Sequence, residues 1–190
     1  MALEEPQHEV ISRWDDVELR RYAPSLVAET RVTGSRDTAA TEGFRRLARF
    51  IFGSNRPRGG VAVAAAEPQT IAMTAPVAQA PASENDPNGE AWTVQFTMPS
   101  AWTLETLPVP ADARVTILAV PERLVLALRY RGSWSDARRE AHEAELLATA
   151  KREGLRIVGP LTWARYDPPW MPWFLKRNEV WVAVASASGS

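Results

Sequence analysis

The residues able to do chemistry are few. The 190-residue chain has no cysteine and two histidines, His8 and His142. Missing thiols exclude disulfides, thiolate zinc sites, iron–sulfur clusters, covalent c-type haem and a cysteine nucleophile. No glycine-rich phosphate loop, HExxH or GxSxG pattern is present. Asp15-Asp16 and Asp167 adjoin turn residues, and turn geometry accounts for them. Glu179 is the one acid worth testing as a proton donor or acceptor, and Asn178-Glu179 reads first as support for a turn or strand entry. What the chain has in excess is eight Trp and fifteen Pro. A Cys-free, His-poor, Trp-rich chain suits a binder of apolar molecules better than a hydrolase. The run Trp170-Met171-Pro172-Trp173-Phe174-Leu175-Lys176-Arg177 joins aromatic groups to two trailing cations. By itself it reads as a membrane-interface or protein-docking loop.

Bulk properties narrow the class. The chain is 45% apolar and 24% charged, with a formal net charge of −1. A general nucleic-acid binder would carry a basic excess. The length predicts one domain over 1–190, able to bury roughly 70% of the surface its unfolded chain exposes. Met1 to Pro6 lacks a basic, apolar leader, and no stretch reaches the ~20 apolar residues of a membrane span. A cytoplasmic location is therefore expected.

The elements that must position these residues follow from periodicity. Glu9–Ile11 and Val17–Tyr22 read as strands around an Asp15-Asp16 turn, and Leu26–Val32 as a third. A helix is predicted from about Asp37 to Phe52, with Phe44, Leu47, Ala48 and Ile51 as its apolar stripe and Gly53 just past its end. Ile71–Val77 and Trp92–Met98 read as strands, separated by a polar loop from Pro81 to Gly89. The second half repeats the order: strands at Arg114–Val120 and Leu124–Tyr130, a helix from about Asp136 to Glu153, then strands at Leu161–Tyr166 and Asn178–Val184. Ser133 and Asp136 have capping-box spacing. Each helix follows a strand-Gly-Ser junction, Val32-Thr33-Gly34-Ser35 and Tyr130-Arg131-Gly132-Ser133. Two ββαββ pseudo-repeats, about 9–100 and 112–185, suggest duplication. The expected class is α+β, a curved sheet or distorted β-barrel with two flanking helices. Six of the Trp (Trp14, Trp92, Trp102, Trp134, Trp163 and Trp181) fall in or beside strands and turns, which leaves Trp170 and Trp173 for contact with a ligand or surface.

Four ordered segments together resemble the SOUL haem-binding protein family: Val17-Glu18-Leu19-Arg20-Arg21-Tyr22, Ile71-Ala72-Met73-Thr74-Ala75-Pro76-Val77, Phe96-Thr97-Met98-Pro99-Ser100, and Tyr166-Asp167-Pro168-Pro169-Trp170 with Lys176-Arg177-Asn178-Glu179-Val180-Trp181. The resemblance covers about residues 9–184. It implies the distorted barrel built from a duplicated ββαββ unit, and non-covalent binding of haem or another porphyrin as a carrier or buffer. The same fold class includes small-molecule effector domains, which is the alternative function.

Some members of that family carry a histidine just before the Tyr of the first segment, proposed as an axial iron ligand. This chain has Arg21 there, and a guanidinium has no lone pair for iron. It is similar to members that hold haem by apolar contact and propionate pairing. His8, His142, Met73, Met98 and Tyr166 are the remaining ligand candidates, each with a packing or surface role as its simpler reading. The resemblance implies a pocket over Phe44 to Phe52 and Trp170 to Arg177. Phe44, Leu47 and Ile51 would form part of an apolar slot, closed by Trp170, Met171, Trp173 and Phe174. Arg49, Lys176 and Arg177 would face propionates. Where some relatives set a lysine against a propionate, this chain has Met171. No metal site and no catalytic residue are expected; peroxidase-like turnover would belong to the cofactor.

Overall fold

The computed structural model describes residues 3–58, 67–83, 90–132, 136–167, 172 and 176–186. In chain order the elements are β1 (His8–Trp14), β2 (Val17–Tyr22), β3 (Ser25–Thr33), α1 (Arg36–Ile51), β4 (Asn55–Arg56), β5 (Val77–Pro81), β6 (Ala91–Thr97) and β7 (Val109–Pro110). Then come β8 (Val115–Val120), β9 (Arg123–Arg131), α2 (Asp136–Arg152), β10 (Leu155–Ile157), β11 (Thr162–Arg165) and β12 (Arg177–Ser186). The chain is α+β, as its periodicity predicts. No described helix is long and apolar enough to cross a membrane.

Two compact units divide the chain: Met1–Glu5 with Pro24–Val120, and Pro6–Ala23 with Pro121–Ser190. Neither is one stretch of sequence. In the first unit the antiparallel order is β5-β6-β3-β8, with β4 and β7 as a separate short ladder. In the second it is β1-β2-β9-β12, with β10 and β11 on the far edge of β12. The strand before each helix, β3 or β9, thus pairs with a strand from the other half of the sequence.

α1 packs on β3 and β6 of the first unit. The Ser35 hydroxyl caps it by accepting the Thr38 N–H at 3.3 Å, which satisfies one of the orphan donors of the first turn. Leu47, Phe50 and Ile51 go into a core with Ile71, Val94, Phe96, Met98 and Leu107. The helix comes so close to β6 that a Cβ on Gly43 would lie 2.5 Å from a Val94 methyl. In the second unit, α2 packs on β9, β10 and β12. Register aligns Val17, Leu128 and Val180 in one row and Leu19, Leu126 and Val182 in the next, an apolar face repeated across three strands.

The strand expected at Ile71–Val77 begins only at Val77 and runs to Pro81. Pro76 offers no N–H, so the ladder starts after it. Ile71 is instead fully buried in the core, and its N–H donates to the Ile51 carbonyl at 2.8 Å. Ser133, the capping partner expected for Asp136, lies outside the described residues. Gly43→Ala is expected to destabilise the protein by about 1–3 kcal/mol, since the added methyl overpacks the α1–β6 contact. Urea denaturation checks this, and unchanged stability would mean that Val94 moves aside freely.

Candidate functional site

α1 has two working faces. The inner face, Ala39, Ala40, Gly43, Leu47, Phe50 and Ile51, is buried. The outer stripe, Phe44, Ala48 and Phe52, follows i, i+4, i+8 spacing, so its side chains stack along one side of the helix. With Arg45, Arg49 and Ser54 they line an open groove of about 480 Å³. Phe44 straddles the boundary: its ring meets Phe96 of the core edge-on at 5.5 Å between centroids, yet it stays 37% exposed. Phe52, at the helix end, is 60% exposed. Arg45 and Arg49 are exposed, and their side chains have no ion-pair or hydrogen-bond partner among the described residues. Arg46, between them in sequence, donates to the Thr30 hydroxyl at 2.9 Å and the Arg31 carbonyl at 3.0 Å. The groove is thus an apolar floor flanked by two uncommitted guanidiniums.

The structure separates the candidates read from the sequence. Phe44 and Arg49 lie on the groove, whereas Leu47 and Ile51 are 0% and 1% exposed and belong to the core. A helix stripe seen in sequence spans more than 100°, and its edges cannot be assigned without the sheet it packs on. Arg45, Ala48 and Phe52 join the groove, and their i, i+4 spacing was the available signal. Trp170, Met171, Trp173 and Phe174 lie outside the described residues. Lys176 is half-buried, and its carbonyl accepts the Gly132 N–H at 3.4 Å. The Arg177 guanidinium lies 3.7 Å over the Tyr166 ring and donates to Glu179 at 3.1 Å.

The ligand candidates are placed as follows. Met98 is buried in the first unit's core and Met73 packs against it. His8 opens β1, exposed, with its ring 4.9 Å from that of Tyr22. His142 stacks on Tyr130 at 4.4 Å. Arg21, at the position where some relatives have histidine, pairs on the surface with Glu9 at 3.1 Å. Tyr166 donates its hydroxyl to Glu179 at 2.9 Å; burial and then the Glu179 charge hold its pKa far above the ordinary phenol value. It stays protonated and is no phenolate ligand.

Glu179 is the centre of a closed polar network in the second unit. Its carboxylate is fully buried. Oε2 accepts from Arg20 at 2.7 Å, Trp181 at 2.7 Å and Tyr166. Oε1 accepts from Arg20 and Arg177, both at 3.1 Å. Arg20 also donates to Glu18 at 2.7 Å and to the Tyr22 hydroxyl at 3.1 Å. Register explains the meeting: Glu18, Ala127 and Trp181 form one row and Arg20, Val125 and Ala183 the next, on the face opposite the apolar rows. Burial alone would raise the Glu179 pKa, but the Arg20 hydrogen bonds and charge, with Trp181 and Arg177, outweigh it and hold the carboxyl below its ordinary value. Burial likewise pulls Arg20 down, and Glu179 reverses that, so the guanidinium stays charged. Every lone pair is engaged, so the arrangement is a structural tie and not an acid–base centre.

Arg20→Met is expected to cost about 3–5 kcal/mol, because it strips the main partner from a buried charge, and Arg20→Met/Glu179→Leu less than the sum of the single variants. A single-variant cost under about 1 kcal/mol in urea denaturation would contradict the tie. A depressed folded pKa contributes stability above the unfolded value and loses it on acidification. The gap between wild type and Glu179→Gln should therefore narrow as pH falls below the ordinary glutamate value of about 4.3.

Known proteins place the chain. It is 28% identical over 166 residues to Heme-binding protein 1 of Xenopus laevis, across 86% of this chain and 81% of that one. The fold is similar to the crystal structure of the EcmrR C-terminal domain, with a TM-score of 0.61 at 11% identity, covering 90% of this chain and 97% of that domain. It is also similar to a structure described as a hydrolase from Listeria innocua, with a TM-score of 0.58 at 14% identity, covering 92% and 94%. At such identities these two likenesses concern the fold alone. The model of the SOUL heme-binding protein family matches residues 3–183, and with nearly the whole chain matched, the protein belongs to that family.

Proposed function

We propose that this protein binds haem or a related tetrapyrrole non-covalently and works as a carrier or buffer in the cytoplasm, not as an enzyme. Family membership supports the ligand class. The observation that carries the reading to a place is the α1 groove, where Phe44, Ala48 and Phe52 offer an apolar floor and Arg45 and Arg49 flank it unpaired. A tetrapyrrole needs a flat apolar surface and cations for its propionates, and these residues fit that need. Phe44 and Phe52 would bear on the ring and exclude water from one side. Arg45 and Arg49 would hold carboxylates at the groove edge. Bound haem would supply an iron whose reactivity is the cofactor's own, so peroxidase-like turnover would not mark a dedicated enzyme. With Arg21 and not histidine immediately before Tyr22 in sequence, the groove residues and not an axial imidazole at that position would carry affinity.

The segment with Trp170, Met171, Trp173, Phe174 and Lys176, read from its sequence, offers a weak membrane-surface or protein contact. Arg177, tied to Glu179, would not meet a propionate. Nucleic acid is disfavoured by the net charge of −1. The chain 1–190 acts as a single module whose pseudo-repeats, about 9–100 and 112–185, derive from duplication.

Titration of haemin, followed by the Soret band and tryptophan quenching, is expected to saturate. Phe44→Asp/Phe52→Asp should weaken binding about tenfold or more. Arg45→Ala/Arg49→Ala should weaken haemin but not its dimethyl ester, which lacks the carboxylates. His8→Ala/His142→Ala should leave affinity nearly unchanged; a loss of about a hundredfold would identify a histidine ligand. A titration of wild type without saturation would overturn the proposal.

A further inference from the structure

β8 is the end strand of the first unit's sheet, and its outer edge has no partner strand among the described residues. Ladder parity tells which backbone groups lie on that edge. Between β3 and β6 the Leu26 carbonyl accepts the Met98 N–H at 2.8 Å, and just past β3 the Gly34 N–H donates to the Glu90 carbonyl at 2.7 Å. Even-numbered residues of β3 therefore turn their backbone groups to β6, and odd-numbered ones to β8. Val27 stands opposite Leu118 and Glu29 opposite Thr116, with no shift of register. Thr116, Leu118 and Val120 thus bond to β3, whereas Ile117 and Ala119 direct N–H and C=O outward. Neither has another hydrogen bond among the described residues. The outward N–H before them, on Val115, is taken by the Asp112 carbonyl at 3.0 Å. Pro121, after them, has no N–H. Two outward donors remain between these stops.

Proteins usually protect such an edge with charge, proline or a bulge. β1, the end strand of the second unit, has a register shift between Val10 and Ser12 and carries Glu9 and Arg13. β8 is regular and uncharged from Val115 to Val120. Leu118 is 38% exposed, and Thr116 on its face is exposed as well. Ile117 faces the core instead. The nearest charges, Arg114 and Glu122, are exposed, opposite in sign and four positions either side of Leu118. Antiparallel pairing centred on Leu118 sets unlike charges together at both ends, and parallel pairing in register sets like charges together. Each also has a surface partner of its own, Asp112 at 2.7 Å and Arg21 at 3.8 Å, so they select orientation more than affinity.

We propose that β8 pairs antiparallel with β8 of a second copy of this chain, about a two-fold axis at Leu118. Ile117 then lies opposite the partner's Ala119, and Ala119 opposite the partner's Ile117, with both N–H···O bonds made in each pair. The two Leu118 side chains meet in the close, non-hydrogen-bonded position between them. Both copies use the same surface, so assembly stops at a dimer. α1 stands over β3 and β6, so the two helices are about four strand spacings apart, roughly 19 Å, and do not collide. A contact built on one six-residue strand is small, so the dimer is weak and forms at high protein concentration.

Sedimentation equilibrium of the full chain without haemin, from about 10 μM to about 500 μM, is expected to show reversible dimerisation. Leu118→Lys sets two like charges face to face, and Ala119→Pro removes an outward donor from each copy while sparing the β3 ladder. Each should weaken the dimer about tenfold or more. Val10→Lys, at an apolar site on β1 that is 40% exposed, should leave it unchanged. In hydrogen exchange the Ile117 and Ala119 amides should gain protection with concentration, while the Leu118 amide, bonded to β3, is protected throughout. Circular dichroism would verify folding; if Ala119→Pro misfolds, Leu118→Lys and the exchange pattern decide. A monomer at every concentration, open-ended oligomers, or a dimer that Leu118→Lys leaves intact would overturn the proposal. So would equal weakening by Val10→Lys, or Ile117 and Ala119 exchange that ignores concentration.

Discussion

A carboxylate cut off from water has to be neutralised where it stands, and Glu179 imposes that condition on the second unit. Burial of an ionised acid costs several kcal/mol unless partners compensate it. Five hydrogen bonds from Arg20, Arg177, Tyr166 and Trp181 do so. Those partners come from β2, from the residue following β11 and from β12, so the requirement of one side chain correlates elements far apart in sequence. Arg20 and Glu179 are 159 positions apart. The pairing of β2 with β9 is what brings them together, because it delivers the N-terminal hairpin to the C-terminal unit.

The same commitment sorts the cations. Arg20, Arg177 and Arg46 are bound to internal partners and serve the fold. The side chains of Arg45 and Arg49 have no such partner among the described residues, and they border the α1 groove. A guanidinium holding a buried carboxylate cannot release it for a ligand without exposing a charge, so binding is left to the surface arginines. The tryptophans divide by the same logic. Trp92, Trp163 and Trp181 are buried, and their indole N–H groups donate to Gly34, Glu143 and Glu179.

Much of the local structure was legible in the sequence. Alternation of apolar and polar residues marked Val17–Tyr22 and, more cleanly, Trp92–Met98, and strands stand there at Val17–Tyr22 and Ala91–Thr97. The Gly-Ser junction before the first helix contains its N-cap, Ser35. The miss at Ile71–Val77 has a plain cause: apolar composition marks burial as readily as strand, and Pro76 bars the ladder. The α1 groove was half legible. Phe44 and Arg49 were recognisable, whereas Leu47 and Ile51 satisfy the same periodicity and lie just inside the buried edge of the stripe. Periodicity gives the width of a stripe and not the direction of the partner sheet.

Sequence alone determined what this protein cannot be: without cysteine, and with arginine where an axial histidine would stand, thiolate chemistry and that mode of iron ligation are closed by atom type. It also determined the α+β class and the family, since periodicity and ordered motifs are local properties of the chain. Tertiary structure decided which charges are spent and which are available. That distinction depends on side chains brought together from distant positions, and on whether water reaches them once they meet.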